Sequence, residues 1–255
     1  MLRIAHHTVS PRLVAFDKDG TLIAFRAFWH AWLERNWALI EERVSLTPAA
    51  REALAASLGL DLATRAWDPL GPLTLAATRE VVVIIASQLY RYAGLDWLAA
   101  MALVDEVNRL AYATLPLETL IQPVGDAAGL LARLRAHGLR LALVTADDRA
   151  PTEDTLRRLG LADCWDVILC GDDGLPQKPA PEPALEACRR VGVAPHEAIM
   201  VGDTIADLVM ARRAGYALAV AVTTGVLDAA TLAPHADAVV DSIHDILIID
   251  REEAS

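Results

Sequence analysis

Residues 13–22 read Leu13-Val14-Ala15-Phe16-Asp17-Lys18-Asp19-Gly20-Thr21-Leu22. Four apolar residues run without a break into two aspartates spaced by one residue, and then into a glycine. An unbroken short apolar run is the pattern of a strand covered on both faces, and the glycine permits a tight turn at its end. Side chains alternate along a strand, so Asp17 and Asp19 point to one side and can share a cation. Lys18 then points away, and its being a lysine is incidental.

Working outward, the period changes twice. From about Phe25 to Leu117 the apolar residues recur at helical spacing: Trp29, Trp32, Leu33, Trp37 and Ile40 form one face. Thr47-Pro48 reads as an N-cap followed by a first-turn proline, Gly59 as a stop, and Asp96 as the cap of a helix to about Ala113. No strand pattern stands out in this segment. After Pro123, apolar runs at 139–144, 165–169, 198–201, 217–222 and 237–240 alternate with helical patterns at 126–136, 152–159, 182–191 and 205–214. That alternation predicts an α/β fold, a Rossmann-like doubly wound parallel sheet core with an inserted all-helical domain. The expected division is 1–23 with 119–255 for the core and 24–118 for the helical insertion.

Composition narrows the function classes. The chain has 255 residues, is 54% hydrophobic and 22% charged, and carries 34 acidic against 23 basic residues for a net charge of −11. This disfavours nucleic acid and anionic membrane surfaces as partners, both of which attract basic patches. Three cysteines with no C-x-x-C pair predict buried thiols in a reducing cytoplasm. The N-terminal MLRIAHHTVSPR has no apolar run of signal-peptide length, and the greasiest stretch, Val81–Ala86, is too short to span a bilayer. Lysine occurs only at Lys18 and Lys178; the other basic residues are arginine. In such a chain a lysine marks a place where a compact point charge is needed. The aromatics crowd between residues 25 and 112.

Each strand-like run of the core ends on polar residues, where open parallel sheets place their ligands. Besides Asp17–Leu22 there are Val144-Thr145-Ala146-Asp147, Gln177-Lys178-Pro179-Ala180-Pro181-Glu182-Pro183 and Val201-Gly202-Asp203-Thr204-Ile205-Ala206-Asp207. Thr145 and the neighbouring amides suit phosphate oxygens. The prolines hold Lys178 on a stiff loop. Asp207 falls one helical turn after Asp203 and can face it, or serve as a first-turn acid after an N-cap.

In this order, D-x-D-G-T, strand-Thr, K-P-x-P and G-D-x-x-x-D, the four motifs resemble the haloacid dehalogenase-like hydrolase superfamily. The match is to the branch with a helical cap inserted after the first motif, similar to phosphoglycolate phosphatases. The resemblance implies that Asp17 is the nucleophile and Asp19 the general acid/base. It implies that Asp17, the backbone carbonyl of Asp19 and Asp203 hold Mg²⁺, and that Thr145 and Ala146 with Lys178 hold the phosphate. Gly20, Thr21, Gly202 and Asp207 then support the site, Asp207 by orienting Lys178 or backing the metal. Phosphoryl transfer is catalysed mainly by positioning and charge neutralisation, and an oxygen-only donor set suits a hard divalent cation.

The expected function is a Mg²⁺-dependent phosphatase acting on a small phosphorylated metabolite, phosphoglycolate-like or a sugar phosphate, through an aspartyl-phosphate. The expected oligomeric state is a monomer or homodimer. Asp19 favours phosphoryl over carbon–halogen chemistry, because haloacid dehalogenases lack an acid there. A phosphosugar mutase would use the same groups; a non-catalytic phosphate-binding protein is the alternative of another class. Two departures bear on substrate: Ala24 and Phe25 replace an acid and a hydroxyl common in capped relatives, and Ala146 replaces a common Asn. Candidate substrate-reading residues are Arg26, His30, Arg65 and Trp67.

Overall fold

The structure, a computed structural model, describes residues 1–64 and 66–250. In chain order its strands are β1 (Leu2–Ile4), β2 (His7–Val9), β3 (Leu13–Phe16), β4 (Arg140–Val144), β5 (Val167–Leu169), β6 (Ala198–Gly202), β7 (Leu218–Val222), β8 (Ala238–Val240) and β9 (Ile246–Ile248). The helices are α1 (Phe25–Glu41), α2 (Pro48–Ser57), α3 (Pro72–Leu75), α4 (Thr78–Tyr92), α5 (Trp97–Thr114), α6 (Leu117–Leu120), α7 (Ala127–Ala136), α8 (Arg149–Arg158), α9 (Glu182–Val191), α10 (Ile205–Ala214) and α11 (Ala229–Leu232). The chain divides into two units, Met1–Arg26 with Ile121–Ser255, and Ala27–Leu120.

In the first unit, six parallel strands lie in the order β5-β4-β3-β6-β7-β8. The chain builds outward from β3 through β4 to β5, then returns to β3's other edge at β6 and builds outward again. This is the doubly wound order, and its reversal opens a crevice at the carboxyl ends of β3 and β6. All of β3, β6 and β7 is buried, which the apolar runs require of strands covered on both faces. Leu13, Ala15, Ala142, Met200 and Ala219 pack with Ala184, Ala187, Leu208 and Ala211 of α9 and α10 in one core cluster. Alanine on the helix side lets the helices lie close to the sheet.

The register sets the height of each strand end. Phe16 pairs with Val201 on one side and Leu143 on the other, so Asp17 leaves the sheet level with Gly202 and Val144. The Asp17 N–H still donates to Val201 O at 2.9 Å. Pro181 precedes α9 and Pro183 lies in its first turn, while the left-handed glycines Gly192 and Gly215 end α9 and α10. Helix α8 begins at Arg149, three residues before the expected start. Pro151 falls in its first turn, where the missing N–H costs nothing.

One element was not expected. Strands β1, β2 and β9 form a separate antiparallel sheet, with Leu2 opposite both Val9 and Ile248. Ile4 pairs with His7, so the β1–β2 turn is the dipeptide Ala5-His6, and Ala5 takes φ 52°. Such turns normally announce themselves with Asn or Gly. Here they do not, and three-residue strands are too short to show a period.

The second unit is helical, with no strand among its described residues. Thr47 caps α2 by accepting from the Ala50 N–H, and Asp96 caps α5 by accepting from Ala99. Phe28, Trp29, Trp32 and Tyr112 meet edge to face at 5.3–6.3 Å between centroids. The Trp32 indole donates to Asn108 Oδ1 at 3.0 Å, tying α1 to α5. The aromatic enrichment between residues 25 and 112 thus serves this unit's core. Among the described residues no helix is long and apolar enough to cross a membrane. Cys164, Cys170 and Cys188 are free thiols; the last two are buried.

The Tyr216 hydroxyl, buried after α10, donates to Ala184 O of α9 at 2.8 Å. Tyr216→Phe is expected to lower the unfolding free energy by about 1 kcal/mol, with an unchanged m value in urea denaturation.

Candidate active site

The crevice at the β3–β6 switch point holds five carboxylates: Asp17 and Asp19 after β3, Asp147 after β4, and Asp203 and Asp207 after β6. The loop from Asp17 is turned back on itself. Leu22 and Ile23 donate to Lys18 O, and Gly20, at φ 82°, donates to Ile23 O. A Cβ at Gly20 would collide with the Asp203 carboxylate, so glycine is needed both for the turn and for the approach of Asp203.

Lys178 reaches in from the loop before α9. Its Nζ donates to Asp17 Oδ1 at 2.7 Å, Asp207 Oδ1 at 2.6 Å and Val144 O at 3.3 Å. Asp207 has its other oxygen committed as well, because Oδ2 accepts from the Thr204 N–H and hydroxyl. Thr204 in turn caps α10 by accepting from the Asp207 N–H. The two readings of Asp207, helix-start acid and partner of the site, are therefore both realised, by different oxygens. Gly202 makes room for it: a Cβ there would press on the Asp207 side chain.

Asp203 differs from the others. It is 2% exposed, accepts from the Thr21 hydroxyl at 3.2 Å, and has no cationic partner among the described residues. Its carboxylate lies with those of Asp17 and Asp207, the three offering oxygens within 4.8 Å of one another. Burial, then repulsion from Asp17 and Asp207, pushes the Asp203 pKa well up. Burial likewise raises Asp17, to about 6, against the opposing pull of Lys178. It raises Asp19 to about 7, against Lys18. Burial alone would lower both lysines, but Asp147 and Asp19 hold Lys18 charged, and Asp17 and Asp207 hold Lys178 charged.

Five carboxylates against two ammonium groups leave an excess of negative charge in a buried place. A divalent cation relieves that excess, and all-oxygen donors suit a hard one. The cluster of Asp17, Asp203 and Asp207 thus marks a divalent metal site.

The surroundings of Lys18 correct the reading that its being a lysine is incidental: it is 3% exposed, and its Nζ lies 2.8 Å from Asp19 Oδ2 and 2.7 Å from Asp147 Oδ2. Alternation does turn it away from Asp17, but the side it turns to is the end of β4. Asp19 twists out of strand alternation in the turn and meets it there.

Thr145 is buried, and its hydroxyl accepts from the Asp147 N–H at 3.2 Å, closing the turn through half-buried Ala146 into α8. Arg26 is exposed at the start of α1. In the helical unit His30 and Trp67 meet edge to face at 5.0 Å, and the Trp67 indole donates to Thr74. His30 also lines a cavity of about 270 Å³ with Trp37, Arg51 and Leu62. Arg65 lies outside the described residues.

Two contributors escaped the sequence reading, Thr224 and Gly225 after β7. The Thr224 hydroxyl donates to Gly20 O, and a Cβ at Gly225 would run into the Asp203 carboxylate. The signal was Thr223-Thr224-Gly225 at the carboxyl end of an apolar run, the same pattern that singled out the other loops.

The haloacid dehalogenase-like hydrolase family model matches residues 11–215, and the chain belongs to that family. The N-acetylmuramic acid 6-phosphate phosphatase of Pseudomonas aeruginosa is 33% identical over 251 residues, 94% of this chain and 95% of its own. The phosphoglycolate phosphatase of Nitrosospira multiformis is 43% identical over 102 residues, 40% of this chain and 44% of its own. The chain spans about half the length of the phosphoglycolate phosphatases it matches. Among solved structures, a predicted phosphoglycolate phosphatase from Haemophilus somnus superposes with a TM-score of 0.67 at 21% identity, covering 94% of this chain and 97% of that one. A β-phosphoglucomutase from Clostridium difficile gives 0.63 at 18%, covering 96% and 95%. Both share the fold.

Asp203→Asn separates charge relief from metal binding. Without divalent cation it is expected to stabilise the fold by about 1–3 kcal/mol, because it removes an uncompensated buried charge. The wild type is expected to gain about 2.7 kcal/mol in Mg²⁺ at a hundred times its Kd, and the variant close to nothing. Thermal unfolding of both proteins with and without Mg²⁺ measures both effects.

Proposed function

We propose that the chain is a Mg²⁺-dependent phosphatase that hydrolyses a small phosphorylated metabolite by way of an aspartyl-phosphate on Asp17. The observation that carries this reading is Lys178 clamped between Asp17 and Asp207 beside the cation-less Asp203, at the switch point of the sheet. A carboxylate nucleophile must approach an anionic phosphoryl group, and this arrangement neutralises both.

Asp17 and Asp203 would hold the cation. Asp207, with both oxygens committed to Lys178 and Thr204, supports from behind. When bound, Mg²⁺ supplies charge neutralisation for the phosphoryl oxygens. Lys178 fixes Asp17 Oδ1, and Thr145 follows Val144, the β4 residue level with Asp17, so that its hydroxyl and the Ala146 amide would receive the remaining phosphoryl oxygens. An Asp17 oxygen attacks phosphorus, the bond from phosphorus to the substrate oxygen breaks, and Asp19 delivers the proton to that leaving oxygen. Water then attacks phosphorus, Asp19 takes the proton back, and the bond to Asp17 breaks to release phosphate and restore the carboxylate. The high Asp19 pKa suits it to both roles.

For the substrate class, a sugar phosphate is favoured over a two-carbon phosphate. The relative matched over nearly the whole chain, helical unit included, is named for a phosphorylated amino sugar, whereas the phosphoglycolate phosphatases match about half.

A panel of phosphomonoesters containing both classes, assayed for phosphate release with Mg²⁺, tests the proposal. Turnover is expected to vanish in EDTA, and Asp17→Asn to lose at least about 10³-fold in kcat. Turnover by Asp17→Asn near the wild-type rate would remove Asp17 as nucleophile, and isomer formation without free phosphate would indicate a mutase.

A further inference from the structure

Lys18 is buried and the Lys178 side chain is 8% exposed, and each is held between two aspartates. Lys178 and its pair belong to the reaction proposed above. Lys18 and Asp147 have no part in it, yet burying an ammonium at 3% exposure is costly unless it is paired and hydrogen-bonded.

The Lys18 ammonium joins two loops. On one side it takes Oδ2 of Asp19; on the other it takes Oδ2 of Asp147, from the turn that follows Thr145 and Ala146. Each loop is fixed at its own backbone. Lys18 O accepts from Leu22 and Ile23, while Asp147 N–H donates to the Thr145 hydroxyl and Asp147 O accepts from Gly171. The ammonium therefore spans two rigid anchors. Asp19, whose side chain hangs from a turn at positive-φ Gly20, has no other protein donor among the described residues. Without Lys18 its carboxyl would rotate freely toward the three neighbouring carboxylates or away from them. In a chain with only two lysines among its 23 lysine and arginine residues, a lysine here fits the geometry: two carboxylates at 2.7 and 2.8 Å from one nitrogen suit a compact point charge better than a planar fork.

We propose that Lys18 is a positioning residue that holds the Asp19 carboxyl for proton transfer to the leaving oxygen, with Asp147 anchoring Lys18. This rests on the phosphatase reading. A displacement of the acid by about 1 Å is enough to cost two orders of magnitude in rate.

The test exploits the leaving group. An alkyl phosphate needs the proton from Asp19 as its bond to phosphorus breaks; p-nitrophenyl phosphate does not, because nitrophenolate leaves unaided. The ratio kcat/KM reports steps only through transfer to Asp17, whereas kcat includes hydrolysis of the aspartyl-phosphate, where Asp19 acts as base on either substrate. Lys18→Met is expected to lower kcat/KM about 10²-fold for an alkyl phosphate that the wild type turns over, and less than about 3-fold for p-nitrophenyl phosphate. For p-nitrophenyl phosphate kcat falls nonetheless, so KM falls with it. Asp147→Asn, a milder change at the far end of the bridge, shows the same pattern at smaller amplitude. The double variant is no worse than Lys18→Met alone. Equal losses of kcat/KM on both substrates, in either single variant, would reduce Lys18 to structural support and overturn the proposal; so would no loss on either. A wild type that releases phosphate from neither substrate overturns the phosphatase reading itself, and this role with it.

Discussion

Charge compensation at the carboxyl ends of β3 and β6 is the constraint on which the site depends. Asp17 and Asp203 are brought together from strands far apart in sequence by the doubly wound order, and the register fixes them at one height. Nothing in the fold requires carboxylates there. The sheet would be at least as stable with neutral residues, since like charges in a buried crevice repel. The two ammonium groups, the helix start at Thr204 and the close glycines are arranged around that repulsion and offset only part of it. The part left over is what a divalent cation answers.

The compensation is also divided in space. Lys178 serves Asp17 and Asp207, while Lys18 serves Asp19 and Asp147. The two aspartates of D-x-D, which strand alternation alone would aim at one target, thus have separate counter-ions on separate loops. That separation lets their environments differ although they are two residues apart. One is clamped by Lys178 against the cation-less Asp203. The other is tied to the β4-end turn. Assigning a nucleophile and an acid/base to neighbouring carboxylates calls for such a difference.

The core was legible because its signals are redundant. Unbroken apolar runs marked five of the six parallel strands after β3 had been read, and each functional loop sat where such a run stopped. The β1–β2–β9 sheet was illegible because its strands are three residues long and its turn uses Ala5-His6. Asp19 was misplaced because alternation was carried too far: β3 ends at Phe16, and Asp19 goes with the turn to meet Lys18, whose lysine identity is for that reason not incidental. Gly225 was missed although Thr223-Thr224-Gly225 closes an apolar run like the other loops, because it carries no charged side chain; its contribution is the space it leaves for Asp203. The helical unit was legible as helices, but substrate contacts were not, since Trp, His and Arg residues at helical spacing suit packing and binding alike.

The pairing of β3 with β6 has a kinetic consequence. It joins residues 13–16 to residues 198–201, so the chain between them must be organised before the two strand ends meet. Contacts this distant in sequence form slowly, because loop closure must precede their reward. The cluster of like charges makes that last approach less favourable still, since Asp17 meets Asp203 only when the pairing completes. Lys178, reaching Asp17 from the loop between β5 and β6, arrives with the same approach and brings the opposite charge. The order of the strands therefore makes assembly of the site depend on closing that long stretch of chain, and a divalent cation that needs both Asp17 and Asp203 finds its site only once they have met.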